Sequence, residues 1–122
     1  LETVDVLFVI DYERLDVYRL SLDFIASTSK LREGLPRSNG ELSDQFKRAS
    51  FSLVLNIAEG AGKHRKADKQ RYYSIARGSA MECAAIVDIS KIIGLIEEDE
   101  FLRKKSQLSK IISMLSALCR GS

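Results

Sequence analysis

Beyond residue 12 the apolar positions recur at steps of three and four, and no run alternates with strict period two. That pattern predicts helices without strands. Four helical segments are expected, at about 14–32, 41–60, 67–94 and 98–119. Their limits follow the helix breakers: the single proline, Pro36, and six of the seven glycines fall between or after the segments, and Gly78 alone lies inside one. In the first segment Leu15, Tyr18, Leu22 and Ile25 share a face; in the second Leu42, Phe46, Ala49, Leu53 and Ile57 do. The third offers Tyr72, Ile75, Ser79, Glu82, Ile86, Ile89, Ile93 and Ile96, and the fourth Phe101, Leu108, Ile111, Leu115 and Leu118. At about 28 residues the third helix would be roughly 40 Å long. Long amphipathic helices with short connections make sequence neighbours antiparallel. The expected architecture is therefore all-α, an up-down-up-down antiparallel four-helix bundle over residues 13–122.

Two features depart from a simple bundle. The second helix carries Phe51, Val54, Leu55 and Ala58 around the turns that already supply Leu53 and Ile57. One core stripe cannot hold them all, so either this helix is the most deeply buried of the four or, the favoured expectation, its second face is covered by another copy of the chain. Glu82 occupies an expected seam position between Ser79 and Ile86, where an ionised carboxylate costs several kcal/mol unless paired. Arg48 and Asn56 on the second helix, with Arg77 and Ser79 on its own, are its candidate partners. Glu59, near a helix C-terminus where the dipole disfavours a carboxylate, needs a cation such as Arg65 or Arg77. Together Arg48, Asn56, Glu59, Arg77, Ser79 and Glu82 are expected to form a polar clasp that fixes helix register.

Residues 1–12 look like an appendage: Val6–Ile10 has strand propensity, yet an isolated strand needs a partner. That apolar run, as long as any in the chain, is about a quarter of the roughly 20 residues a membrane-spanning helix needs. Glu2 and Asp5 before it are wrong for a signal peptide. Two cysteines, Cys83 and Cys119, with a single histidine, His64, suggest neither a disulfide framework nor a zinc site, and point to reduced thiols in a cytoplasmic setting.

Charge matters through its placement. Nineteen Lys and Arg oppose 17 Asp and Glu, for a formal net charge of +2. Six of those cations, Lys63, Arg65, Lys66, Lys69, Arg71 and Arg77, fall within 15 residues of the connection between the second and third helices, opposed by Asp68 alone: six minus one is a local +5. Phosphate contacts from such a loop need no base readout. His64 and Tyr73 could stack on bases, while Tyr72 reads as core. The alternative is a solvated loop that keeps the protein soluble. Acidic residues gather in the connection between helices three and four, at Glu97, Glu98, Asp99 and Glu100.

Catalytic readings lack their residues. Gly60-Ala61-Gly62-Lys63 follows a helix and lacks the nucleotide-binding loop pattern. Its glycines read as caps of the second helix. Di-iron bundles need Glu-x-x-His pairs that one histidine cannot supply. Bundle ribonucleases of the HEPN class need an arginine four to six residues before a histidine, where this chain has Ala58, Glu59 and Gly60. Cys83, with no base nearby in sequence, reads as a small core residue. No catalytic residue, metal or cofactor is implied.

Three blocks carry a family likeness: Gln45-Phe46-Lys47-Arg48-Ala49-Ser50-Phe51-Ser52, then Asn56-Ile57-Ala58-Glu59-Gly60, then Ile75-Ala76-Arg77-Gly78-Ser79-Ala80-Met81-Glu82. With Leu15-Asp16-Val17-Tyr18 and the Leu35-Pro36 turn, residues 14–119 resemble the small four-helix bundle proteins encoded in intervening sequences of bacterial 23S ribosomal RNA genes. That resemblance implies a left-handed bundle assembling into a homopentameric ring. It is also similar to the accessory protein of diversity-generating retroelements, a basic pentameric barrel that binds nucleic acid and a reverse transcriptase. The expectation is a non-catalytic oligomeric accessory protein that binds RNA or DNA through Lys63, His64, Arg65, Lys66, Lys69, Arg71 and Tyr73. The alternative is a scaffold that binds a partner enzyme without touching nucleic acid.

Overall fold

In a computed structural model, residues 10–33 and 40–121 are described. Most of the expected appendage (residues 1–9) and the Leu35–Pro36 turn lie outside them. A 3₁₀ turn, Asp11–Arg14, leads into α1 (Asp16–Glu33), followed by α2 (Gly40–Ala61), α3 (Lys66–Ile92) and α4 (Glu98–Cys119). The described residues form four helices and no strand, within two residues of the expected limits. Each helix packs against its neighbours in sequence and α1 against α4, while the diagonal pairs α1–α3 and α2–α4 make no close backbone approach. The core fills the space between: Phe24, Leu53, Ile57, Leu108, Ile111 and Leu115 are fully enclosed. Phe24 meets Phe46 edge-on across α1 and α2, ring centroids 5.8 Å apart.

The expected stripes hold on two helices and shift in part on the other two. On α2, Phe46, Ala49, Leu53 and Ile57 are buried as the spacing predicts, and α4 buries Leu108, Ile111 and Leu115. On α3 the expected seam is buried at Ser79 and Ile86, with Ile96 just beyond the helix, but its Ile75, Glu82, Ile89 and Ile93 are exposed, and the buried face turns one position along to take in Tyr73, Ala76, Ala80, Cys83, Val87 and Ser90. The helix has two heptad stripes, and its smaller residues face inward, where short side chains let α2 and α4 approach closely. On α1 the buried residues are Val17, Ser21, Phe24 and Thr28, and Leu22 is exposed. Thr28 satisfies its hydroxyl on the Ile25 carbonyl at 2.8 Å, whereas the Ser21 hydroxyl has no partner among the described residues.

Two glycines have a geometric reason. Gly94 adopts φ 81° beyond α3. Its N–H donates to the Lys91 carbonyl (3.1 Å) and that of Leu95 to Ser90 (2.8 Å), a Schellman closure that turns the chain into α4. Gly60 is buried within α2 and does not cap it. A Cβ there would lie 2.8 Å from the Tyr73 ring, so the glycine lets α3 seat that tyrosine against α2.

Candidate nucleic-acid interface

The connection between α2 and α3 is short because both helix ends close locally. Gly62 N–H returns to the carbonyls of Ala58 and Glu59, both at 3.2 Å, and Lys63 N–H to that of Gly60 at 3.2 Å. Lys69 then reaches back from α3, its ammonium donating to the Ala61 carbonyl at 3.0 Å and to Gly60 at 3.4 Å. A cation on the last carbonyls of a helix satisfies orphan acceptors and complements the dipole. Lys69 is thereby engaged in holding the turn.

The remaining cations differ in freedom. Lys63 lies 3.2 Å from the Glu59 carboxylate, which supplies the partner expected for Glu59 in place of Arg65 or Arg77. Its ammonium is also 5.2 Å from the centre of the Tyr72 ring, with the Arg71 guanidinium 5.6 Å from the same ring. His64, Arg65, Lys66 and Arg71 are exposed. The chain at Gly121 sits against Lys66, which brings Arg120, exposed just beyond α4, to the same end. Nothing in the local spacing announces Arg120; it joins the cluster only because α4 ends where α3 begins. The start of α1 reaches this end too, Leu15 and Val17 lining a shallow depression with Met114 and Leu118. The 3₁₀ turn before it carries the acidic Asp11 and Glu13, and α1 opens on Asp16, which pairs with Arg19 at 2.8 Å.

The two tyrosines exchange the roles expected of them. Tyr73 is only 5% exposed, and burial raises its phenol above the usual range. Its ring is part of the core and cannot stack on a base. Tyr72, expected in the core, is half-buried beside the cations. The shift of α3 by one residue causes both corrections.

The expected clasp resolves into separate contacts. Ser52 and Ser79 share a hydrogen bond of 2.8 Å between α2 and α3. Asn56 donates to the Ser52 carbonyl and hydroxyl, at 2.8 and 3.1 Å. Arg77 turns to α4, its Nε donating to Ser116 at 2.7 Å. Glu82 is exposed and accepts from Gln45 at 2.9 Å, so it carries no burial cost. Arg48 is exposed and pairs with no carboxylate among the described residues. Cys83 is enclosed, and burial, aided by the nearby Glu82 charge, pushes its thiol up to about 12, which suits a core residue.

The buried charge lies where the residue type gave no warning. Lys104 on α4 is 3% exposed. Its ammonium donates to the Ser27 hydroxyl at 2.6 Å and lies 3.4 Å from the Glu100 carboxylate, which Arg103 also holds at 2.5 Å. Burial lowers the Lys104 pKa against the opposing pull of Glu100. Burial tends to raise that of Glu100, but Arg103 and Lys104 outweigh it and the net shift is downward. Position 104 continues the Leu108–Ile111–Leu115 stripe by one step of four, a signal that a lysine conceals. Among the described residues no cluster of three or more His, Cys, Asp or Glu could hold a metal, and no helix is long and apolar enough to cross a membrane.

Comparison with known proteins places this geometry. The family model described as 23S rRNA-intervening sequence protein matches residues 13–117. The chain is similar to a crystal structure from Bacteroides thetaiotaomicron, a protein of unknown function from the S23 ribosomal protein family, with a TM-score of 0.77 and 22% identity over 84% of this chain and 97% of that one. At that identity the likeness speaks for the fold. No curated protein matches the chain.

Proposed function

This chain belongs to the 23S rRNA-intervening sequence protein family, and from that premise we propose that it is a non-catalytic, oligomeric accessory protein that binds RNA through phosphate contacts at its α2–α3 end. The observation that carries this reading is the gathering of exposed Arg65, Lys66, Arg71 and His64, with Arg120 from the far end of the chain, at one end of the bundle. These are long cations on a compact turn, suited to a charged backbone and without the geometry of base-edge recognition. The bundle is up-down-up-down and antiparallel: Gln45 meets Glu82, Ser52 meets Ser79 and Gly60 meets Tyr73, a descending register that supports this topology. Its left-handedness, closure as a homopentamer and cytoplasmic setting rest on the family resemblance. In such a ring each copy adds the same cationic turn, so phosphate contacts multiply.

Binding to ribosomal RNA fragments, measured across a salt series, tests the proposal. The expected result is an affinity that falls steeply with salt, the slope of log affinity against log salt shrinking by about 0.7 for each phosphate contact removed from a single-stranded target. Reversal of Arg65, Lys66 and Arg71 to Glu should abolish binding at moderate salt. Reversals that leave the slope unchanged, or salt-insensitive capture of a protein in place of RNA, would overturn it in favour of the scaffold reading.

A further inference from the structure

We infer that two different outer faces of this chain mate between copies, the Phe51–Leu55 ridge of α2 on one copy seating in the Gly78–Ala85 groove of α3 on the next. This rests on the oligomeric reading above and adds to it which surfaces meet and in what sense. On α2, Phe51 is 43% and Leu55 65% exposed, protruding from a helix whose other face already fills the core. On α3, Ile75, Gly78, Glu82, Ala85, Ile89 and Ile92 follow steps of 3-4-3-4-3 and are all exposed, the spacing of a helix-pairing seam. Second in that row, Gly78 is exposed, and a Cβ there would meet nothing within 4 Å. Within one copy nothing requires a glycine in mid-helix at that point. A neighbouring helix with a bulky side chain does, because the missing side chain opens a hole between Ile75 and Glu82.

Charge selects a second copy as the occupant. Arg48 flanks the ridge with no acidic partner, and Glu82 flanks the groove with no basic one, among the described residues. Lys47, its ammonium 5.7 Å from the centre of the Phe51 ring, adds positive charge to the ridge, and with Asp44 in the same patch the balance of the three is +1. A cationic apolar ridge and an anionic apolar groove on the same chain are complementary to each other and not to themselves. Mated in one sense only, each ridge in the groove of the next copy, such a contact is heterologous and gives a ring when the rotation closes, whereas reciprocal mating of the same surfaces stops at a dimer.

Sedimentation of the full chain at micromolar concentration tests this. The wild-type protein should form a species larger than a dimer. Phe51→Glu with Leu55→Glu spoils the ridge, and Gly78→Gln fills the groove; each should leave monomers, with self-association weakened at least a hundredfold. All three positions are exposed, and unchanged helical circular dichroism would show that the fold survives. An equimolar mixture of the two variants retains one sound ridge and one sound groove, so it should give a dimer and nothing larger. As a milder pair, Arg48→Glu and Glu82→Arg should each weaken assembly about tenfold and associate when mixed. Wild-type assembly that Gly78→Gln leaves intact, or a mixture of the ridge and Gly78→Gln variants that stays monomeric or grows beyond a dimer, overturns the mating of these faces while sparing the oligomeric reading. A monomeric wild-type protein sinks both.

Discussion

Lys104 shows how one side chain can cost stability and yet be well placed. Its ammonium has two oxygen partners, but burial dominates and lowers its pKa below the ordinary 10.5. The unfolded chain therefore holds this proton more tightly than the folded one, and the cost is fully present below the folded pKa and fades as pH rises through it toward 10.5. Lys104→Met keeps the volume and removes the charge, and Glu100 retains Arg103. The variant is expected to be more stable at neutral pH by about 1 kcal/mol, with the gain shrinking as the pH of the urea titration is raised. A second residue-scale outcome concerns Gly60, where a Cβ would press on the enclosed Tyr73 ring. Gly60→Ala should cost about 2 kcal/mol by overpacking, read as a lower urea midpoint with an unchanged slope. The basic turn was legible from charge spacing alone. Tyr73 and Glu82 were misplaced because both lie on α3, where one residue of rotation exchanges core and surface.

At the scale of elements, legibility followed how one-sided each helix is. On α2 the large apolar residues that recur at helical spacing are the core, so hydropathy finds the right stripe. On α3 Ile75, Ile89 and Ile92 line the outer face while the inner one joins Ile86 and Val87 to the small Ala76, Ala80, Cys83 and Ser90, and hydropathy alone rotates the stripe partly outward. What decides the matter is close approach, as at Gly60 against Tyr73 and in the 2.8 Å bond between Ser52 and Ser79, and this needs the neighbouring helix to be seen. On α1 the inner face includes Ser21 and Thr28 and packs beside Lys104, which leaves that helix the least apolar anchorage. Its amides should exchange with deuterium at a lower opening free energy than those of α2 and α3; equal protection across all four helices would contradict this. Gly78→Ala, which replaces an exposed mid-helix glycine with open space around it, should add about 1 kcal/mol of helix stability, seen as a raised thermal midpoint of the dissociated chain.

At the scale of the molecule, the cationic turn lies at one end of the bundle and the ridge and groove lie along its flanks. Function and assembly are then separable by substitution. Charge reversal at Arg65, Lys66 and Arg71 should abolish RNA binding while leaving the sedimentation coefficient of the assembly unchanged; a coefficient that falls with the reversals would tie the turn to assembly. The chain has no tryptophan and four tyrosines, so its ultraviolet emission comes from phenols alone. One of them, Tyr72, sits between the Lys63 ammonium and the Arg71 guanidinium, while its neighbour Tyr73 is sealed from solvent. The molecule thus carries a native optical reporter at the very spot where a polyanion would draw those two cations aside, and the sealed phenol one residue away adds only a steady background to it.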